Sequence, residues 1–147
     1  MPEETDPYYI IGFADYVFIG STLSDGISFT LSSGNKRLEY DISVSECLKG
    51  SLAKAKVIKA VYPAYYENDG TLVLMEGDAM KDDGLPEKGK NYIFVGTAQP
   101  DGSIFLESLY AKTEFNDANY QKFINYVANE TGVDRERFNS SFEIDSD

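Results

Sequence analysis

The sequence contains no His, no Trp and a single Cys, Cys47. Without His, the Ser-His-Asp and Cys-His forms of nucleophilic catalysis are closed, and a common proton shuttle and metal ligand is gone. One Cys permits neither an intramolecular disulfide nor a zinc site built on Cys and His. No run of about 18 apolar residues occurs, so no transmembrane helix is expected. Positive charge is also scarce. The chain has 13 Lys plus Arg against 25 Asp plus Glu, a net charge of −12. Such a balance repels phosphate backbones and anionic membrane surfaces.

That charge is uneven. Residues 1–25, 67–89 and 114–147 each carry −5, and residues 90–113 balance. Residues 26–66 carry three acids and six bases, for +3. One mildly basic segment therefore sits within an acidic protein. A chain of 147 residues is one domain by default, large enough to build a core without staples. The 11 Tyr and 9 Phe favour strands, where rings pack on a pleated surface.

Residues 1–12 read as a flexible lead-in or the start of a first strand, 13–133 as one domain, and 134–147 as a polar tail, with a further turn over Asp134 to Arg137 and fraying over 139–147. Asp15 to Ser24 is a strand, apolar on both faces at its start and hence central. Arg37 to Leu48 has the clearest period of two. Leu38, Tyr40, Ile42 and Val44 point one way, and Glu39, Asp41, Ser43 and Ser45 the other. Ala55 to Tyr62 is β-branched and stops at Pro63. Thr71 to Glu76 is a short strand candidate. Tyr92 to Ala98 and Ile104 to Tyr110 form a hairpin around Gln99-Pro100-Asp101-Gly102-Ser103. The period then changes. Tyr120, Phe123, Ile124 and Val127 make the stripe of an amphipathic helix, capped by Asn116 or Asp117 and ended by Gly132. The expected fold is mainly β: a five-stranded OB-like barrel with one extra short strand and a C-terminal amphipathic helix.

Three stretches carry a family resemblance. Phe13-Ala14-Asp15-Tyr16-Val17-Phe18-Ile19-Gly20 places an Ala-Asp pair before an apolar strand with a Gly. Tyr40 to Gly50 reads Y-x-I-x-V-x-E-x-L-K-G. Gly89-Lys90-Asn91-Tyr92-Ile93-Phe94-Val95 is a Gly-Lys-x-Tyr entry to a later strand. Together they resemble the OB-fold domain of tissue inhibitors of metalloproteinases and the netrin-like modules, especially small bacterial relatives. The resemblance implies the barrel and a non-catalytic interaction role. The animal inhibitors coordinate a protease zinc through an N-terminal Cys in a Cys-x-Cys start. Here the start is Met1-Pro2-Glu3-Glu4 and Cys47 lies inside a strand. No inhibitory residue carries over.

Candidate sites are few. Glu76, Asp78, Asp82 and Asp83 form an acidic run that could offer oxygen ligands to a cation. It fails EF-hand spacing: counting from Asp78, the third position is Met80 and the twelfth Gly89. A solvated loop is the simpler reading. Cys47 has Glu46 beside it and nothing to lower its pKa, so it reads as a packed strand thiol. Lys49, Lys54, Lys56 and Lys59 crowd strands two and three, with Tyr62, Tyr65 and Tyr66 just beyond. On an OB barrel such a surface can bind single-stranded nucleic acid; lysines also protect a sheet edge from pairing. The three tyrosines, with Lys54 and Lys56, otherwise make a contact patch for a protein or ligand. Asn129-Glu130-Thr131 and Asn139-Ser140-Ser141 match the glycosylation acceptor pattern, a short motif that chance also produces.

The leading expectation is a protein-interaction or ligand-binding module that presents loops 25–36 and 63–89 to a protein or surface partner. No cofactor and no metal are expected. The start has neither a basic nor an apolar leader segment and reads as an acidic linker, which points to an extracytoplasmic or envelope-associated place, with the cytoplasm as the alternative. Two rivals remain: a single-stranded nucleic-acid binder using the 37–66 surface, and a hydrolase built on carboxylates alone.

Overall fold

The structure is a computed structural model that describes residues 6–52, 57–74, 85–107 and 110–142. Its elements run α1 (Pro7–Phe13), β1 (Tyr16–Thr22), β2 (Ile27–Thr30), β3 (Lys36–Lys49), β4 (Val57–Tyr62), β5 (Ala64–Tyr66), β6 (Leu72–Leu74), β7 (Asn91–Ala98), β8 (Ile104–Leu106), β9 (Thr113–Glu114) and α2 (Asp117–Ala128).

β1 pairs antiparallel with β3 on one side and with β7 on the other. Its apolar residues on both faces have this cause, since neither edge and neither side of the strand meets water. β3 continues to β4, β4 pairs parallel with β8, and β8 returns antiparallel to β7. The ring β1-β3-β4-β8-β7 is therefore a closed five-stranded barrel of the expected OB-like kind. β2 and β9 join it from outside the ring, and β5 and β6 form a separate two-stranded hairpin.

The alternation along β3 divides inside from outside. Leu38, Tyr40, Ile42 and Val44 are buried in the barrel, and Glu39, Asp41 and Ser43 lie on its outer surface. Phe18 of β1 stacks on Phe94 of β7 in the interior, centroids 5.3 Å apart. A second core lies outside the barrel. Val17, Ile19, Ile93 and Val95 project from β1 and β7 and are covered by Ile11 of α1 and Phe123 of α2. Asn116 caps α2 by accepting from the Asn119 amide, as the sequence anticipates.

Two expectations are corrected. The first twelve residues do not simply lead in or open a strand: Pro7–Phe13 is a helix. Asp6 caps it by accepting from the Tyr8 amide, and Pro7 fits its first turn. Gly12 makes its docking possible, because a Cβ there would lie 1.9 Å from the Thr131 carbonyl oxygen.

Nor is the C-terminal segment frayed over residues 139–142, and residues 134–137 form no helical turn. The Arg135 Nη2 and Arg137 Nη1 atoms each donate to the Asp15 carboxylate at 3.0 Å. Both arginines also donate to the Phe13 carbonyl, and Arg137 reaches those of Gly12 and Ala14. Ser140 is buried, and its amide donates to the Tyr16 hydroxyl. Phe138 and Phe142 pack against the barrel core. The segment is polar by composition, yet its polar groups are the fastening.

Candidate functional site

The sequence-derived patch separates into members that face inward, members that face outward and members outside the described residues. Tyr62 is removed from the exposed patch. It is fully buried, with its ring edge-on to Tyr40 at 5.5 Å inside the barrel. Its strand carries it inward: Tyr62 pairs with Leu38 of β3, and directly opposed residues share a face. After Pro63 the chain turns into β5, where Tyr65 is half-buried and Tyr66 is 39% exposed. Lys54 and Lys56 lie outside the described residues, as do Glu76, Asp78, Asp82 and Asp83. Among the described residues, no group of three or more acids or Cys could hold a metal ion.

Tyr66 stands directly opposite Leu72 in the β5–β6 hairpin, so the two side chains share one face. Leu72 is itself exposed. The turn between them is fixed locally. The Glu67 amide donates to the Thr71 carbonyl, and the Thr71 hydroxyl and then its amide bond the Asp69 carboxylate, which lowers the Asp69 pKa. The hairpin thus holds an apolar pair in water on a well-braced support. Leu72 was not singled out in the sequence, where it reads as one residue of a short strand.

A second segment meets this hairpin. Lys36, at the start of β3, donates its Nζ to the Asn68 side-chain oxygen in the hairpin turn. The Leu23 amide donates to the Asp41 carbonyl, and Ser24 Oγ accepts from the Asp41 amide. These bonds lay residues 23–26 across the end of Tyr40. Gly26 is required there, since a Cβ would stand 2.8 Å from the Tyr40 hydroxyl oxygen. Burial pushes the Tyr40 hydroxyl pKa far above its usual range, and Tyr66, Asp25 and Tyr92 add to the shift. Tyr40 thus lies beneath residues 23–26, and its strand β3 also packs beside β5. Leu23, Ile27, Tyr66 and Leu72 are the exposed large apolar residues carried by them.

The basic surface is weaker than its Lys count implies. Lys49 turns away from β4 to meet Glu130, and it donates to the Ile11 carbonyl. It ties β3 to the helical side and is not offered to a ligand. Lys59 pairs with Asp41 at 2.9 Å. Arg37 donates to the Lys36 carbonyl, with Glu39 two residues on in the same strand. The described outer face of β3 and β4 therefore mixes both signs. No row of exposed rings lines it for base stacking.

Acid–base chemistry finds little footing among the described carboxylates. Glu107 is the group with a raised carboxyl pKa, chiefly through burial, with Asp15 nearby adding to it. Its Oε2 accepts from Thr97 Oγ1, and Arg135 reaches toward it. Asp15 is already held by two arginines and the Ala98 amide. Cys47 is half-buried against the barrel core, its sulfur 3.8 Å from the Leu52 carbonyl.

No family model matches the chain, and no curated protein matches its sequence. Among the described residues, no helix is long and apolar enough to cross a membrane.

Proposed function

We propose that this protein is a non-catalytic interaction module, relative of the small bacterial netrin-like and metalloproteinase-inhibitor-like barrels, working outside the cytoplasm. It presents residues 23–36 and the β5–β6 hairpin to a protein partner. The observation that carries this reading is the Tyr66–Leu72 pair. Two apolar side chains face water together on a braced hairpin, and the Lys36–Asn68 bond links that hairpin to the segment bearing Leu23 and Ile27. Exposed aromatic and aliphatic groups on rigid supports suit protein recognition, because little side-chain freedom is lost on binding. Protease inhibition is no part of the proposal.

A photo-crosslinking residue placed at position 66 or 72 tests the reading in the native host. We expect a specific protein adduct from both positions and none from position 124, an exposed apolar site on α2. Competition by excess wild-type chain should remove the adduct, and competition by the Tyr66→Ser/Leu72→Ser variant should not. Equal adducts at all three positions, or none anywhere, would overturn the proposal.

The single-stranded nucleic-acid reading is the weaker one. It needs a run of available cations on the β3–β4 surface, and of the described ones there Lys49 is turned to Glu130 and Lys59 is paired with Asp41.

A further inference from the structure

The outer edge of β2 has a distinct character. β2 is Ile27-Ser28-Phe29-Thr30, with no charged residue and no Pro. It pairs with β3 on one side, and among the described residues no strand covers its other side. Natural sheet edges are blunted by shortness or by a Lys, a Pro or a bulge that prevents pairing. At four residues this edge is short, but it carries none of the other three.

The register says which groups face outward. Leu31 donates its amide to the Asn35 carbonyl, and pairing continues as Thr30 with Lys36, Phe29 with Arg37, Ser28 with Leu38 and Ile27 with Glu39. Hydrogen-bonded and non-bonded pairs alternate along an antiparallel ladder. Leu31–Asn35 being bonded, Phe29 and Ile27 also bond to β3. Ser28 and Thr30 then direct their N–H and C=O groups away from β3, along the free edge. The side chains of Ile27, Phe29 and the flanking Leu31 fall on one face, because side chains alternate. Ile27 is 58% exposed, and Phe29 and Leu31 are half-buried.

This arrangement is complementary to itself. We infer that β2 pairs antiparallel with β2 of a second copy of this chain, about a two-fold axis at Phe29, joining the two barrels through one continuous sheet. In that register Ser28 of each copy exchanges both backbone hydrogen bonds with Thr30 of the other. Phe29 faces its own counterpart, and Ile27 faces Leu31 of the second copy. The charges allow it. The antiparallel arrangement brings Asp25, two residues before β2, over the second copy's 31–35 turn, which is uncharged and so offers no repulsion. A heterologous strand would match the backbone bonds equally well, but it has no reason to repeat this apolar row in reverse. The pairing shares Ile27 with the proposed partner surface but does not rest on the Tyr66–Leu72 pair, and it is read with the purified chain alone.

One strand pair is a small interface, so the association is weak, with Kd in roughly the micromolar to millimolar range. Sedimentation equilibrium from about 10 µM to about 1 mM should show a concentration-dependent dimer. Ser28→Pro removes an outward N–H without breaking a β2–β3 bond, so it should leave a folded monomer. Ile27→Lys should also give a monomer. Adding Leu31→Glu to Ile27→Lys should restore the dimer, because the register places positions 27 and 31 of the two copies face to face. Should Ser28→Pro fail to fold, the Ile27/Leu31 variants still decide. A wild-type chain that stays monomeric throughout, a folded Ser28→Pro chain that still dimerises, or a double variant no more associated than Ile27→Lys would each overturn the inference.

Discussion

Arg135 and Asp15 meet at 3.0 Å although 120 residues separate them in the chain. The contact joins the entry of β1 to the segment after α2. Arg137 closes on the same carboxylate from its other oxygen, and the Ala98 amide donates to it from β7. Three remote parts of the chain thus converge on one half-turn of backbone.

Asp15→Ala should therefore cost far more than a surface ion pair. It leaves two guanidinium groups and an amide without their shared acceptor in a site where Asp15 is only 8% exposed. Removing one partner of a buried pair costs about 3–5 kcal/mol; Arg137 is partly in water, which favours the low end, about 3 kcal/mol. Urea unfolding of the variant against wild type measures this. A loss below about 1 kcal/mol would place the contact among ordinary exposed pairs.

Glu107 makes stability fall as pH rises. Its folded-state pKa lies above its ordinary value, because burial disfavours the charged form more than Thr97 and Arg135 favour it. The folded chain thus holds this proton more tightly than the unfolded chain. The resulting stabilisation is full below the ordinary Glu value and is lost as pH rises through the folded one. Glu107→Gln keeps an acceptor for Thr97 and cannot ionise. Relative to wild type, the variant should gain most in Tm near pH 7 and lose that advantage toward pH 4. A difference in Tm that does not change with pH would refute the assignment.

Gly12→Ala should undock α1. The new methyl group would meet the Thr131 backbone oxygen, which no side-chain rotation can move. Overpacking of this kind costs about 1–3 kcal/mol. Hydrogen exchange should show residues 8–14 losing protection before the barrel does. Uniform loss of protection across barrel and helix would mean that α1 is not a separately docked element.

Oligonucleotide binding should be absent even at low ionic strength, where the electrostatic term is largest. Fluorescence polarisation with a labelled oligo-dT at about 20 mM salt is a sufficient check. Saturable binding that Lys59→Ala weakens would restore the nucleic-acid reading.

What the sequence disclosed followed the strength of its local patterns. β3 was legible because one face is barrel interior along most of its length, so Leu38, Tyr40, Ile42 and Val44 alternate cleanly with polar residues. α2 was legible from the spacing of Tyr120, Phe123 and Val127, which pack toward the outer core. α1 was not, because seven residues are too few to establish a period and its apolar residues could equally begin a strand. The 134–142 segment hid for a different reason. Its arginines bind backbone carbonyls and one carboxylate far upstream, and neither kind of partner leaves a local signature. Tyr62 and Tyr66 look alike in the sequence because Pro63 interrupts the strand, and alternation cannot be carried across such a break. The lysine cluster overstates the basic surface because charge summed along the chain leaves out partners in space, where Lys49 meets Glu130 and Lys59 meets Asp41.

The parallel pairing of β4 with β8 sets an order of events during synthesis. Ala60 and Val61 wait for Ile104 and Phe105. A ribosome adding roughly 5–20 residues per second leaves that edge uncovered for seconds, a span over which strand edges recruit neighbours. The β1 entry waits longer still, since Asp15 has no arginine to hold until residues 135–137 have emerged. The strand at the centre of the barrel is thus made early and secured last, and a nascent chain released short of residue 135 would carry a barrel without its fastening.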